Sequence, residues 1–232
     1  MKSLTEIDWD ATAAALDGRG YAVIPGLLSP SACGAAAALY EQPGLFRSQV
    51  VMQRHGYGRG AYQYFAYPLP DPVAALRTGL YPPLARIANR WQAALGKAAD
   101  YPPDHAAYLA RCHGAGQMRP TPLLLTYGPG DYNCLHQDLY GAEQFPLQVA
   151  VLLSQPGDDF TGGEFVLVEQ RPRMQSRPHV VPLSQGDAVI FAVNTRPATG
   201  TRGIYRLKLR HGVSEIRSGQ RRTLGIIFHD AA

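Results

Sequence analysis

No run of apolar residues in this 232-residue chain approaches the roughly 20 that a membrane-spanning helix needs. The segment Met1–Glu6 also lacks the apolar core of a secretory signal peptide. Cysteine is scarce, and Cys33, Cys112 and Cys134 are odd in number and form no CxxC pair. This pattern indicates neither a disulfide framework nor a zinc knuckle. These absences predict a protein of the reducing cytoplasm with no membrane-embedded part.

Dense runs of Lys and Arg are also absent, although the formal net charge is +4 and the pI is about 9.0. This balance permits a polyanionic partner such as nucleic acid. A mildly basic surface of the ordinary kind explains it as well, because the basic residues are dispersed. Charge alone therefore leaves the partner open.

Hydrophobic periodicity and turn residues divide the chain into a helical first half and a strand-rich second half. We predict helices over residues 8–16, 30–40, 71–95 with a break at Pro82-Pro83, and 103–110. Strands are predicted over residues 21–25, 123–127, 133–138, 147–154, 164–168, 178–182, 187–192, 203–211 and 221–228. Closely spaced strands of this number are typical of a double-sheet jelly roll.

The predicted fold class is therefore mainly β with α: a double-stranded β-helix, or jelly roll, with an N-terminal helical cover. We predict a single domain over residues 1–232. Residues 1–116 would form the cover and the edge strands, and residues 117–232 would form the core.

The first residues that point to chemistry are His136 and Asp138. Residues two apart in a strand project from the same face, so an imidazole and a carboxylate can reach one point. In the strand predicted over 203–211, alternation leaves His211 as the polar end of an apolar inward face. A lone inward histidine is more often a hydrogen-bonded core residue. Together, however, the three match the two-histidine, one-carboxylate set that leaves three positions of an octahedral Fe(II) open.

A possible anion clamp lies in the strand predicted over 221–228. Alternation places Arg221, Thr223 and Gly225 on one face and Arg222 on the other. A guanidinium binds a carboxylate bidentately, and a hydroxyl two residues on adds a donor. We prefer Arg221 to Arg222 for this role because of the face it occupies. A surface ion pair is the alternative explanation for such an arginine.

Two pairs of segments resemble known oxygenases. Residues 127–130 and 135–138, Tyr-Gly-Pro-Gly and Leu-His-Gln-Asp, are similar to the Y-x-P-G and L-H-Q-D motifs of the AlkB-type nucleic-acid dealkylases. Residues 211–213 and 219–223 resemble the H-x-V and G-x-R-x-S/T motifs of prolyl-hydroxylase-like oxygenases.

Two further segments, 160–165 and 186–191, resemble the F-x-G-G-E and G-D-x-x-x-F strands of the prolyl-hydroxylase-like group. Together the four matches cover about residues 122–230 and are specific for the Fe(II)/2-oxoglutarate-dependent dioxygenase superfamily. The C-terminal half also resembles a bacterial family described as predicted oxygenases of damaged DNA.

The resemblance implies a role for each matching residue. His136, Asp138 and His211 would hold Fe(II), while Arg221 and Thr223 would bind the distal carboxylate of 2-oxoglutarate. Tyr127 would donate its hydroxyl to the cosubstrate, although an ordinary strand aromatic is the alternative. With O2 as co-reactant, the reaction would be hydroxylation of a C–H bond.

The substrate stays open between two classes. The L-H-Q-D match and the basic pI favour an alkylated nucleic acid, dealkylated by oxidation. The spacing of ten residues between His211 and Arg221 favours a prolyl or other protein side chain instead. A non-catalytic jelly-roll protein that binds another metal, or none, is the alternative outside the enzymes.

Several other residues are expected to be structural. Tyr62 and Tyr64 share one face of an edge strand, within a segment that could instead be a substrate-facing lid. Gln117 lies just before the core strands. His229 shares the Arg221 face but sits at the predicted frayed end of the last strand.

Overall fold

The computed structural model describes residues 2–201 and 203–232, and the four α-helices found there lie in the first half of the chain. They are α1 (Trp9–Arg19), α2 (Pro30–Ala38), α3 (Asp71–Ala94) and α4 (His105–Gly114). The side-chain oxygens of Asp8, Ser29 and Asp104 cap α1, α2 and α4 by accepting backbone N–H groups of the first turn. Short 3-10 turns lie at Leu4–Glu6, Leu39–Glu41, Pro43–Leu45 and Met52–His55.

Helix α3 runs without interruption through Pro82 and Pro83, so the predicted break there is wrong. A proline inside a helix removes an N–H donor and costs about 3 kcal/mol. The helix buries a long apolar stripe against the core: Leu76, Leu80, Leu84, Ile87 and Trp91. Each such side chain contributes about 1.5–3 kcal/mol. Burial of the whole stripe therefore outweighs the effect of two prolines.

Fifteen strands follow one another in the described residues. They are β1 (Tyr21–Ile24), β2 (Phe46–Val51), β3 (Gly58–Arg59), β4 (Ala61–Phe65), β5 (Leu123–Tyr127), β6 (Tyr132–His136), β7 (Leu147–Leu152), β8 (Phe160–Gly162), β9 (Phe165–Gln170), β10 (Arg177–Val181), β11 (Ala188–Ala192), β12 (Thr195–Gly200), β13 (Gly203–Val213), β14 (Ile216–Gly219) and β15 (Arg221–Ile226). Strands β12 and β14 lie in segments that the sequence pattern did not assign.

The strands form two main antiparallel sheets. The larger has the order β1-β11-β7-β15-β5-β4-β2, and the smaller has the order β10-β9-β13-β6-β3 with β12 paired to β13. A separate two-stranded sheet joins β14 to β8. Residues of both main sheets line a common cavity. This two-sheet arrangement is the predicted jelly roll.

Two strand pairings bring distant parts of the sequence together at this cavity. Strand β13 pairs with β6 so that His211 lies opposite His136. Strand β15 pairs with β5 so that Arg221 lies opposite Tyr127. The register of the sheets therefore places the two sets of predicted site residues on facing sheets.

The helices cover the opposite face of the larger sheet. Leu224 and Ile226 of β15 belong to the same buried cluster as Leu80 and Leu84 of α3. Alternation along β15 thus gives one face to the helical cover and the other to the cavity. Among the described residues, no helix is long and apolar enough to cross a membrane.

Candidate metal centre and active-site cavity

His136, Asp138 and His211 meet at one point between the two sheets. His136 Nε2 lies 3.5 Å from Asp138 Oδ1, and His211 Nε2 lies 3.4 Å from Asp138 Oδ2. One donor atom from each residue lies within 4.8 Å of the others. Strand β6 ends at His136, so Asp138 reaches this point from the segment just beyond the strand.

The surroundings fix the orientation of these groups. His136 Nδ1–H donates to the carbonyl of Cys134 at 2.7 Å, which fixes the ring with Nε2 facing Asp138. His211 is held between the rings of Phe191 and Phe165, whose centroids lie 4.6 and 6.1 Å away. The hydroxyl of Tyr140 donates to Asp138 Oδ1 at 2.7 Å. Two imidazole nitrogens and a held carboxylate are a donor set that suits Fe(II).

The electrostatics of the three groups are coupled. Burial alone would raise the pKa of Asp138, but hydrogen bonds and charge from the two histidines hold it well below its ordinary value. Burial and the neighbouring His136 lower the pKa of His211. Metal binding requires an ionised carboxylate and neutral imidazoles. Asp138 and His211 are therefore shifted towards the protonation states that a metal needs.

Arg221 lies in the same cavity and is only 2% exposed. Its Nη1 donates to Thr223 Oγ1 at 2.6 Å. No carboxylate among the described residues forms an ion pair with it, and its Nε has no hydrogen-bond partner there. Burial lowers its pKa to about 10. A buried cation without a counter-ion is costly, so this position favours an anionic ligand.

Arg222 points away from the cavity. Its guanidinium contacts Glu41 Oε1 at 2.7 Å and the carbonyl of Ala37 at 2.9 Å. Both partners lie at the end of α2 or just after it, on the outer face of the larger sheet. The opposite faces of Arg221 and Arg222 follow the predicted alternation.

Tyr127 is buried beside Arg221 and lines the cavity. Its ring lies 5.8 Å from the Arg221 guanidinium carbon, and its hydroxyl accepts a hydrogen bond from Asn133 Nδ2 at 3.3 Å. Burial raises its pKa to about 12. The hydroxyl therefore stays protonated and able to donate to a ligand.

The cavity has a volume of about 350 Å³, and part of its wall is a group of tyrosines that we call the tyrosine wall: Tyr57, Tyr62, Tyr64 and Tyr140. Tyr64 donates to the hydroxyl of Tyr140 at 3.2 Å, and Tyr140 donates in turn to Asp138. The sequence predicted that Tyr62 and Tyr64 share one face of a strand, but it did not predict that this face lines the cavity. For Tyr140 the sequence offered no signal except its nearness to Asp138.

Two residues near this wall have structural contacts. Gln117 is buried, and its amide donates to the carbonyls of Tyr140 and Glu143. It therefore holds the segment that carries Tyr140. His229 is also buried rather than frayed, with its ring 6.0 Å from that of Tyr140.

Solved structures share this fold over nearly the whole chain. A Burkholderia pseudomallei oxidoreductase of the 2OG-Fe(II) oxygenase family has a TM-score of 0.55 at 16% identity, over 98% of this chain and 94% of its own. A Pseudomonas putida prolyl-4-hydroxylase has a TM-score of 0.51 at 14% identity, over 94% of this chain and 96% of its own. These likenesses show the fold, and the donor set that it holds suits Fe(II).

A family model described as "Oxygenase, catalysing oxidative methylation of damaged DNA" matches residues 60–231. The chain belongs to this oxygenase family. Uncharacterized proteins of two Mycobacterium tuberculosis strains are each 51% identical over 174 residues, which is 75% of this chain and 75% of each relative. The predicted oxidoreductase class, with Fe(II), 2-oxoglutarate and O2, is thereby confirmed in preference to a non-catalytic protein.

Proposed function

We propose that this oxygenase removes methyl groups from damaged DNA bases by hydroxylating them. In this proposal His136, Asp138 and His211 hold Fe(II). Arg221 and Thr223 bind the distal carboxylate of 2-oxoglutarate, and Tyr127 donates its hydroxyl to the cosubstrate. One observation carries the proposal: a buried arginine with no acidic partner among the described residues lines the same cavity as the three metal donors.

Fe(II) with 2-oxoglutarate and O2 supplies C–H hydroxylation coupled to decarboxylation of the cosubstrate to succinate and CO2. One oxygen atom of O2 enters the methyl C–H bond, and the other enters succinate. A hydroxymethyl group on a ring nitrogen then leaves as formaldehyde and restores the N–H. Oxidation of 2-oxoglutarate supplies the electrons for this reaction, so no further reductant is needed.

The residues of the chain bind the cosubstrate, orient the metal donors and exclude water. Arg221 neutralises the cosubstrate carboxylate in a buried setting, where a charge-assisted hydrogen bond is strong. Tyr140 and Cys134 hold Asp138 and His136 in position. Buried Phe165 and Phe191 beside His211 limit the access of water.

A nucleobase is the substrate that we favour. The tyrosine wall offers aromatic faces for stacking next to the metal donors, and stacking on aromatic side chains holds bases regardless of sequence. The description of the family supports the same class. A protein side chain is the second candidate, because Arg221 follows His211 by ten residues, as in prolyl-hydroxylase-like oxygenases.

The test measures succinate and formaldehyde together. With Fe(II), 2-oxoglutarate and a single-stranded oligonucleotide that carries an N-methylated base, we expect both products in equal amounts. The unmethylated oligonucleotide and a proline-rich peptide serve as competing substrates. Succinate stimulated by the peptide alone would favour the second candidate, and no succinate with any substrate would contradict the class of reaction. His136→Ala should lose bound iron.

A matched pair of variants tests the clamp. Arg221→Lys keeps the charge but loses the bidentate geometry, so we expect the KM for 2-oxoglutarate to rise about 10- to 100-fold, as for loss of a charged hydrogen bond. Arg222→Lys removes the same geometry from the outer face and should leave this KM unchanged. Equal effects of the two substitutions would contradict the assignment of Arg221.

A further inference from the structure

A second depression, which we call the side groove, lies against the active-site cavity and has a volume of about 280 Å³. All four residues of the tyrosine wall line both the cavity and the side groove. The metal donors lie only on the cavity side. A ligand that extends along the tyrosine wall can therefore place one group near these donors and the next group in the side groove.

Arg47 of β2 lines the side groove and is fixed in place. Its Nε donates to the carbonyl of Pro120 at 2.9 Å, and its guanidinium carbon lies 4.5 Å from the centre of the Tyr64 ring. Its two terminal nitrogens make no hydrogen bond to a described residue, and no described carboxylate forms an ion pair with it. The charged end of Arg47 is thus held rigidly with its bidentate fork available.

Arg119 contributes a second cation to the same groove. Its backbone N–H and carbonyl both pair with Ala231, at 2.9 and 2.8 Å, which fixes where the side chain starts. The side chain is exposed and forms no ion pair with a described carboxylate. Burial and the nearby charge of Arg119 lower the pKa of Arg47. Two cations close enough to repel each other are stabilised by an anion between them.

Among the described residues, no acidic side chain lines the side groove or forms an ion pair with these arginines. Asp230 is fully buried and is engaged by Arg77 and His113. Exposed His55 also lines the groove and stacks on Tyr57. Ala231 and Ala232 line the groove as well. Arg47 and Arg119 are therefore the arginines of a lining whose other polar groups are the tyrosine wall, Thr121 and His55.

We infer that the side groove binds a backbone phosphate of the nucleic acid whose base occupies the active-site cavity. This inference rests on the proposed function and adds to it the part of the chain that holds the strand. Arg47 provides the bidentate contact, Arg119 the second charge, and the tyrosine wall separates base from phosphate. A phosphodiester suits this site better than a carboxylate, because base and phosphate of one nucleotide match an aromatic wall flanked by arginines.

The test is the salt dependence of oligonucleotide binding. The probe is a dye-labelled single-stranded DNA of about 12 nucleotides, within the usual footprint of single-strand-binding folds. Binding is measured by fluorescence anisotropy over a series of salt concentrations, with the full chain, for wild type and Arg47→Gln/Arg119→Gln. The matched control is Arg206→Gln/Arg210→Gln, which removes the same charge from exposed positions of β13.

We expect Arg47→Gln/Arg119→Gln to weaken binding at low salt by about tenfold or more. The slope of log K against log salt should become shallower by about 0.7, because one lost phosphate contact on a single strand contributes about 0.7. The control should keep the wild-type slope. Since Arg47→Gln also loses a contact to Pro120, the single variant Arg119→Glu, which disturbs only an exposed side chain, should show a loss of the same direction.

The outcomes separate the inference from the proposed function. If wild type binds the probe but the groove variants behave like the control, the inference is overturned while the nucleic-acid substrate stands. If wild type shows no salt-dependent binding, the nucleic-acid substrate fails and the inference with it. Binding of a poly-glutamate peptide through Arg47 and Arg119, without binding of DNA, would overturn the inference in favour of a protein partner.

Discussion

Among the described residues, Tyr140 is the member of the tyrosine wall that hydrogen-bonds to a metal donor. Its hydroxyl donates to Asp138 Oδ1 and accepts from Tyr64, so one carboxylate oxygen is held from outside the donor set. Groups that orient a metal ligand in this way commonly change metal affinity as much as some ligands do. The geometry of Asp138 therefore depends on a residue outside the three metal donors.

We predict that Tyr140→Phe weakens Fe(II) binding about 10- to 100-fold, because Asp138 loses its only described hydroxyl donor. Anaerobic titration with Fe(II), or with Co(II) as a spectroscopic probe, measures the affinity directly. Tyr205→Phe removes a hydroxyl from a partly buried position on β13 and serves as the control. Unchanged metal affinity in Tyr140→Phe would show that Asp138 is held by other contacts.

At the scale of strands and helices, the sequence predicts best which residues share one face of a strand. The inward positions of β13 lead to His211, and the cavity face of β15 carries Arg221 and Thr223, as the period of two indicates. Alternation also assigns Tyr62 and Tyr64 to one face of β4. These are local rules, so a single sequence is sufficient to apply them.

Other features of the fold and the site depend on tertiary contacts that local sequence patterns do not encode. Asp138 lies beyond the end of β6, and its position is set by Tyr140 and the two histidines rather than by strand geometry. His229 looks terminal in the sequence, yet it is buried, and Arg77 of α3 donates to its carbonyl. The prolines of α3 look disruptive because the helix propensity of a segment does not include the apolar stripe that it buries.

The C-terminal segment after β15 is tied to both α3 and α4 through one buried carboxylate. Asp230 is fully buried and accepts from Arg77 at 2.8 Å, from His113 at 2.8 Å and from Tyr67 at 2.9 Å. Arg77 also donates to the carbonyl of Ile227 at 2.8 Å. Burial would raise the pKa of Asp230, but the Arg77 charge and these hydrogen bonds lower it below 3.8.

We predict that Asp230→Asn lowers the free energy of unfolding by about 3–5 kcal/mol at pH 7, because it leaves Arg77 buried without its counter-ion. The carboxylate contributes fully above its unfolded pKa, and its contribution disappears as pH falls below 3.8 through the depressed folded value. Urea unfolding at neutral and acidic pH should therefore show the two proteins converging at low pH. Glu41→Gln, which breaks an exposed ion pair with Arg222, should cost less than about 1 kcal/mol.

At the scale of the whole molecule, the helical cover and the sheets are joined by a buried aromatic cluster that contains two neutral histidines. His105 at the start of α4 donates to the carbonyl of Phe228 at 2.8 Å. His229 accepts from the backbone N–H of Phe145 at 3.2 Å through Nδ1. Burial, reinforced by the charge of Arg77, lowers the pKa of both histidines to about 4. Protonation of either ring is therefore disfavoured in the folded protein.

This arrangement predicts a loss of stability as pH falls from 6.5 towards 4. In that window the unfolded chain binds protons at both histidines while the folded chain does not, so the unfolded state is favoured. At pH 5 the expected loss is about 2 kcal/mol for each histidine. His229→Asn keeps an acceptor for Phe145 but cannot titrate, so it should reduce the loss between pH 7 and pH 5 by about 2 kcal/mol. Urea unfolding measures this, and exposed His55→Asn should retain the full wild-type dependence. A wild-type stability that is flat over this range would mean that these two rings accept protons without leaving the folded interface.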